Sequence, residues 1–467
     1  MQNKLGKIDL TARNIPRRYD STYTDIIDGY LLVYQPLSSK GISLLNKASA
    51  FLYKTVDDKR TLGDIYLIAR TKEPKLRFIQ IVKIFNDFLA SEIIFFDNPK
   101  LSIRRIKIRS ISVWLHITNQ CNLRCTYCYV NKSTEKMDIK ILNKALNKIF
   151  DSAIERRIDK IQFKFSGGEA LLELSLIIYF IKKAKILGNK YKIRTNFIIL
   201  TNGILINEKI AYFLKNNNIR PAISLDGLGK YNDQTRIFPN GMGSFKFVKK
   251  GINNLKKAGV HFSITVVITS KNIDGIPNLT RYLLSNNINF VFSFFRDNPE
   301  SSEKLECDKN KLIDVLKKTY KIIHDNVPKY SIVNNILDKV KFKPHYNTCG
   351  VGTNYLIIRQ DGEIASCQMT LEKSIGSIED DDLIDTIIKG NFIKPERLTI
   401  ESISSCLSCQ WKFICTGGCP LLTFQQKNKY DASSPYCKVY KALIPEVLKI
   451  EAKRLIKYEL NIFKQTN

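Results

Sequence analysis

An α/β fold around a parallel sheet, preceded by a small α+β domain and followed by a cysteine-rich domain, is predicted by three features of the sequence. Strand-like runs recur at 111–117, 161–166, 194–200, 220–225, 261–268 and 289–295. Helical patterns fall between them, at roughly 138–156, 171–187, 206–216, 244–258 and 275–285, and strands alternating with helices build parallel sheets. Cysteines then accumulate at Cys349, Cys367, Cys406, Cys409, Cys415, Cys419 and Cys437.

Whole-chain properties narrow the class. A length of 467 residues allows two to four domains with ample core. Hydrophobic content of 44% and charged content of 25% are ordinary for a soluble globular protein. Lys+Arg 74 against Asp+Glu 44 gives a net charge of +30, which favours anionic partners. The lysines are dispersed among Ile and Asn, and no dense basic block with interleaved aromatics marks a nucleic-acid face. A solvated Lys-biased surface and an acidic peptide partner are the two readings of the charge. The densest basic run, 104–109, alternates like an edge strand. The first residues lack the apolar core of a signal peptide. The most apolar stretch, Leu171 to Ile181, is interrupted by Glu173 and is too short to span a bilayer. Eleven cysteines without an export signal predict a reducing cytoplasm and metal or cluster ligation rather than disulfides.

In chain order, residues 1–20 read as a loose tail and 21–100 as a compact unit. Leu31–Tyr34 is strand-like, Ile42–Leu45 apolar, Lys47–Val56 helical, and Thr61 caps a helix reaching Arg70. Arg77–Ala90 is amphipathic and Ile93–Phe96 closes the unit as a strand, giving a winged-helix-like α+β domain. Residues 101–300 hold the strand–helix alternation. At the end of its first strand stand Cys121, Cys125 and Cys128. Such tight spacing suits three thiolates on one cubane with the fourth iron open, the alternative being zinc or buried free thiols. Gly167-Gly168-Glu169 ends the second strand, where glycines allow close approach of a ligand and Glu169 offers a carboxylate to an ammonium. Asn202-Gly203 ends the third strand and Ser224-Leu225-Asp226 the fourth; Asn202 and Asp226 also suit ordinary turns. A Lys-rich bridge, 301–345, contains helical patterns at Leu312–Asn326 and Ile332–Lys341 and an isolated Cys307. The cysteine-rich domain covers 346–440 with a hairpin at 357–364, and a C-terminal helix occupies 441–467. His116 stands close enough to the first cysteines to support them from behind; His261, His324 and His345 are scattered, and no Ser/His/Asp grouping supports hydrolysis.

The C-x3-C-x2-C run, with Tyr127 just before its last cysteine, is similar to the signature of radical S-adenosylmethionine (SAM) enzymes. That resemblance implies a partial (β/α)6 barrel and a 4Fe–4S cluster on Cys121, Cys125 and Cys128 whose open iron is chelated by SAM. Electron transfer then releases a 5′-deoxyadenosyl radical that takes hydrogen from substrate. It further implies Gly167, Gly168 and Glu169 at the SAM amino group and Tyr127 near the adenine. Asn202, Ser224, Asp226 and Arg236 stand where related enzymes place polar SAM contacts. The cysteines from Cys349 onward resemble the SPASM extension of radical SAM enzymes that modify peptides and proteins, which holds two auxiliary 4Fe–4S clusters. By that pattern Cys406, Cys409, Cys415 and Cys437 complete one cluster, and Cys419 crosses to join Cys349 and Cys367 on the other. The latter's fourth ligand is Cys307, His345 or no protein group. Leu45-Asn46, Thr61–Ile65 and Phe88–Ile93 are similar to the small peptide chaperone of pyrroloquinoline quinone biosynthesis, which implies a leader peptide added as a strand to a sheet edge. The expected function is modification of a ribosomally made peptide by cross-linking, epimerisation or a related oxidation. An external flavodoxin- or ferredoxin-type electron donor is implied. Two alternatives remain: a sulfatase-maturing type, against which Gln368 stands where that group carries an Asp, and an iron–sulfur sensor binding DNA through the N-terminal domain.

Overall fold

The computed structural model describes residues 9–97, 108–390 and 399–460. Most of the basic run at 104–109 and the last residues of the expected C-terminal helix lie outside the described residues.

The chain opens with β1 (Arg17–Arg18), β2 (Tyr23–Ile27), β3 (Tyr30–Tyr34) and β4 (Ile42–Leu45), followed by α1 (Lys47–Thr55), α2 (Leu62–Arg70), α3 (Phe78–Ala90) and β5 (Ile94–Phe95). Helix starts are written in the sequence. Asn46 accepts from the Ser49 amide, and Thr61 and Asp64 form a reciprocal capping box. Strands β2, β3 and β4 form an antiparallel sheet in that order. On β3 the two faces serve different cores: Leu31 and Val33 pack on the three helices, while Leu32 and Tyr34 belong to the main core. The expectation of a loose tail fails for residues 9–20. Leu10 is buried, the Ala12 and Asn14 carbonyls accept from Gly63 and Leu62, and β1 pairs with β5. Short polar residues hid this, because the segment is held by backbone bonds rather than by an apolar face.

The main sheet follows: β6 (Ser110–His116), β7 (Lys160–Ser166), β8 (Arg194–Thr201), β9 (Arg220–Ser224), β10 (Ser263–Ile268) and β11 (Asn289–Phe294), all parallel. Between and after them come α4 (Ile139–Glu155), α5 (Leu174–Tyr191), α6 (Glu208–Asn216), α7 (Lys230–Asp233), α8 (Phe245–Lys257), α9 (Ile276–Ser285) and α10 (Lys309–Asp325). The sheet then gains three strands that the sequence reading did not attach to it: β12 (Tyr355–Ile358), β13 (Glu363–Ala365) and β14 (Ser374–Ser377). Strand β12 lies parallel to β6, and β13 and β14 continue antiparallel. The cysteine-rich region is thereby built onto the edge of the same sheet that carries the cluster loop.

Residue alternation gives the parallel strands two unlike faces. On β7, Ile161, Phe163 and Phe165 are fully buried in the main core, whereas Gln162 and Lys164 line the opposite, partly open face. Remaining elements are α11 (Leu383–Lys389), α12 (Lys412–Cys415), α13 (Pro420–Lys427) and α14 (Cys437–Leu455). Helix α14 packs along α10 and reaches the N-terminal sheet, where Lys449 meets Asp25 at 3.3 Å and Lys453 meets Asp28 at 2.6 Å. The expected helix at Ile332–Lys341 is a series of turns instead. Its apolar residues Ile332, Ile336 and Val340 are buried as their periodicity requires. Their backbone is drawn elsewhere: the Asn335 carbonyl accepts from the Phe292 amide at 2.7 Å and the Ile336 carbonyl from the Tyr320 hydroxyl at 2.6 Å.

Candidate active site

The cluster loop leaves β6 and is pinned from both sides. The Thr118 and Gln120 carbonyls accept from the Gly168 and Glu169 amides at 2.7 and 2.8 Å. On the other flank, the Arg124 and Thr126 amides donate to Ile237 and Thr235 at 2.7 and 2.9 Å. The two glycines make the first approach possible, since a Cβ on Gly167 would stand 2.3 Å from the Thr118 carbonyl oxygen and one on Gly168 2.1 Å from that of Gln120. Their absent side chains therefore admit the loop's own backbone, where the sequence reading had them admitting a ligand.

Cys121, Cys125 and Cys128 are part-buried along this loop. Burial raises the Cys121 thiol and pushes Cys125 up to about 12, with Lys132 and Arg236 respectively pulling the other way. Such thiols become thiolates when a bound metal supplies the missing positive charge. Lys132 donates to the Cys128 sulfur at 2.9 Å.

Glu169 is fully buried. Its carboxylate accepts from Thr201 Oγ1 at 2.6 Å and from the Leu171 and Asn202 amides at 3.0 and 2.8 Å. Burial raises its pKa against these hydrogen bonds. A carboxylate has about four acceptor positions, so roughly one remains for an incoming ammonium. Asn202 turns its amide to Asn122 Oδ1 at 2.7 Å, tying the end of β8 to the cluster loop.

Asp226, Arg236 and Tyr127 form one buried group. Arg236 Nε donates to Asp226 at 2.8 Å, the Tyr127 hydroxyl donates to the same carboxylate oxygen, and Val267 N donates to the other at 2.9 Å. The guanidinium lies 5.3 Å from the centre of the Tyr127 ring and reaches the Cys125 sulfur at 3.8 Å. Burial works against the Arg236 cation, but Asp226 outweighs it and holds the pKa above the usual value. The structure thus joins Tyr127, Asp226 and Arg236 into a support behind Cys125. Ser224 ends β9 on the partly open face, apart from this group.

The seven later cysteines divide into two sets. Cys406, Cys409, Cys415 and Cys437 line a pocket walled by Trp411 and Tyr440. A second pocket is lined by Cys349 with Thr348, Thr416 and Tyr430, and Gly417 borders both. Cys367 and Cys419 are electrostatic neighbours of Cys349. Among the described residues no three His, Cys, Asp or Glu side chains converge as a single metal ion requires. Thiolates arranged around a cavity suit a cubane, whose irons each take a separate ligand. His345 is committed elsewhere, with Nδ1 on the Lys343 carbonyl at 2.7 Å and Nε2 near Thr416 Oγ1 at 3.3 Å. Cys307 is buried with Lys311, Glu306, Asp274 and Asp308 as its strongest charged neighbours, and its thiol is pushed up to about 12 by that burial. His116 is buried below the cluster loop, with Nε2 on Asn119 Oδ1 at 2.7 Å; His261 is exposed ahead of β10 and His324 pairs with Asp325 at 3.4 Å.

Several functional candidates escaped the sequence reading. Tyr129 follows Cys128 and has both Cys128 and Cys367 as electrostatic neighbours, so it lies near both cysteine systems. Arg296 contacts Asp338 at 2.5 Å and hydrogen-bonds Cys419. Lys164 and Tyr355 face each other across the sheet junction. The available signal was weak: a lysine interrupting an apolar strand, and aromatics beside cysteines.

Residues 115–283 match the Radical SAM superfamily family model. The segment 115–283 is a radical SAM domain, a member of that superfamily. Membership implies a 4Fe–4S cluster and SAM, and the three thiols of the pinned loop are the residues that fit them; the cluster supplies the electron for SAM cleavage. An uncharacterized protein of Methanocaldococcus jannaschii is 32% identical over 270 residues, 57% of this chain and 88% of that one. A cysteine-type anaerobic sulfatase-maturating enzyme of Clostridium perfringens is 25% identical over 345 residues, 69% of this chain and 91% of that one. The solved structure of anSMEcpe with bound AdoMet and Cp18Cys peptide matches with a TM-score of 0.60 at 23% identity, covering 76% of this chain and 99% of that one. Streptococcus suis SuiB bound to its precursor peptide SuiA matches with a TM-score of 0.51 at 18% identity, covering 91% and 100%. Its fold is thus shared with structures solved with bound peptides. No helix among the described residues is long and apolar enough to cross a membrane.

Proposed function

We propose that this radical SAM enzyme oxidises or cross-links a ribosomally made peptide, using two auxiliary 4Fe–4S clusters held by Cys406, Cys409, Cys415 and Cys437 and by Cys349, Cys367 and Cys419. The observation that carries the reading is Tyr129, which has Cys128 of the SAM loop and Cys367 of the second system as neighbours. A substrate residue placed there has the radical source on one side and an electron acceptor on the other, as net oxidation of a peptide demands. Leaving the second system with three thiols keeps a position for the substrate itself.

The N-terminal sheet supplies the docking surface in this reading. Strands β2 and β4 are its edges, and Ile26 on β2 is 65% exposed. A leader peptide added to such an edge gains backbone hydrogen bonds and side-chain pockets. A flavodoxin- or ferredoxin-type protein is the electron donor, and the cytoplasm is the compartment. The sulfatase-maturing alternative is favoured by the Clostridium perfringens relative, but Gln368 after Cys367 lacks the acid–base chemistry of a carboxylate. Co-expression with any short open reading frame found beside the gene tests the proposal by mass spectrometry. Loss of two hydrogens per event is expected, and Ile26→Asp should weaken precursor binding about tenfold, the value of one buried aliphatic side chain. A precursor that neither binds nor changes in mass or stereochemistry refutes it.

A further inference from the structure

The partly open face of the sheet carries a row of polar groups with no partner. On β6, Ile111, Val113 and Leu115 belong to the outer core, so Ser112, Trp114 and His116 point the other way. The Ser112 hydroxyl, the Trp114 indole N–H and His116 Nδ1 all lack a hydrogen-bond partner among the described residues while being shielded from solvent. Trp114 is only 7% exposed. Directly across the ladder, Trp114 is in register with Lys164 of β7 and Ile357 of β12. The Lys164 ammonium lies 5.4 Å from the centre of the Tyr355 ring, and the Trp114 and Tyr355 rings are 6.4 Å apart. No ion pair or hydrogen bond holds that ammonium among the described residues.

A buried indole donor without an acceptor is costly, and a half-buried ammonium beside it makes a negative group the one that completes both. The charges felt most strongly at Lys164 are those of Lys339 and Lys341, both positive, and burial together with these neighbours lowers its pKa. Lys339 is also the principal charge at Cys349, and Lys341 donates to the Asn334 carbonyl at 3.3 Å. Lys164 thus stands in register with the Trp114 indole, with no anionic partner among the described residues. A cation beside a neutral N–H donor matches a carboxylate, which accepts at both of its oxygens. Tyr355 brings the group next to the second cysteine system, since Cys367 and Cys349 are among its electrostatic neighbours and its hydroxyl donates to Gln368 at 3.2 Å.

We propose that Lys164 and the Trp114 indole N–H form a carboxylate-recognition site inside the sheet's concave face, holding an acidic group of the peptide substrate beside Cys349 and Cys367. The proposal rests on the peptide-modifying reading and adds the chemical class of the residue that enters. The carboxylate comes from a Glu or Asp side chain or from the peptide's C-terminus.

Calorimetric titration of the reconstituted, SAM-loaded enzyme separates these sources. The probes are acetyl-Gly-Glu-Gly-amide, acetyl-Gly-Gln-Gly-amide and acetyl-Gly-Gly-Gly with a free C-terminal carboxylate. The Glu peptide or the free acid should bind about tenfold more tightly than the Gln peptide, the factor expected of one charge-assisted hydrogen bond; whichever does so identifies the source. Lys164→Gln should abolish that preference and Lys164→Arg should keep most of it. Trp114→Phe, which keeps the ring and removes the donor, should reduce it. Equal binding of charged and neutral peptides, or failure of all three to bind, overturns the inference alone, because the peptide reading rests on leader docking and is tested with the precursor. A folded Lys164→Gln protein that retains the preference but shows a shifted reduction potential of an auxiliary cluster also overturns it, because the lysine then serves the cluster.

Discussion

Gly168→Ala should detach the cluster loop from the end of β7 without touching a cysteine. The new Cβ would stand 2.1 Å from the Gln120 carbonyl oxygen, 2.6 Å from its carbon and 2.7 Å from the Asn119 carbonyl oxygen. All three are backbone atoms, so no side chain can swing aside, and the loop must withdraw. Withdrawal strains the bonds from the Gly168 amide to Thr118 and from the Glu169 amide to Gln120, now 2.7 and 2.8 Å. Two hydrogen bonds at about 1 kcal/mol each and an overpacking term of about 1 kcal/mol give roughly 3 kcal/mol against the closed loop. That corresponds to about a hundredfold in the open-to-closed ratio. Hydrogen exchange at the Gly168 and Glu169 amides reads this directly, as a loss of protection of about that factor. The iron content should fall by about four per chain, the contents of one cubane, while the C-terminal clusters persist. Unchanged protection with full iron would refute the view that these glycines serve the loop's own backbone.

Two further predictions address cysteine and histidine chemistry. Cys307→Ala should leave about twelve irons per chain, the number for three 4Fe–4S clusters, because Cys307 lies among Lys311, Glu306, Asp274 and Asp308; a loss of about four irons on reconstitution would make it the missing ligand. His116 is held neutral by burial, with its pKa lowered to about 4. The unfolded chain therefore binds a proton that the native state refuses, and the stability contribution is complete above about pH 6.5 and lost as pH falls towards 4. A gap of roughly 2.5 units amounts to about 3 kcal/mol. Urea midpoints measured across that range should fall more steeply for the wild type than for His116→Gln; parallel slopes would contradict the assignment.

What the sequence made legible was local. The six parallel strands were marked by period-two runs, and the observed bounds lie within about two residues of the expected ones, because one buried face forces alternation. The thiol spacings were equally local: Cys406, Cys409, Cys415 and Cys437 line one pocket, and Cys419 is an electrostatic neighbour of Cys349. Three things depended on distant pairing and could not be read. Strand β12 joins β6 across more than two hundred residues, with no turn to signal it. The segment 332–341 has helical periodicity, yet its carbonyls go to Phe292 and Tyr320, which only tertiary placement reveals. In the sequence Lys164 is a lysine that interrupts an apolar strand. Its meaning appears only once β12 carries Tyr355 over it and β6 sets the orphaned Trp114 beside it. The lesson is specific to a sheet with one open face: inward positions read as polar noise in the sequence because their partners are several strands away. The same openness leaves room there for a substrate, so the residues hardest to interpret from the sequence are those with the strongest claim to its chemistry.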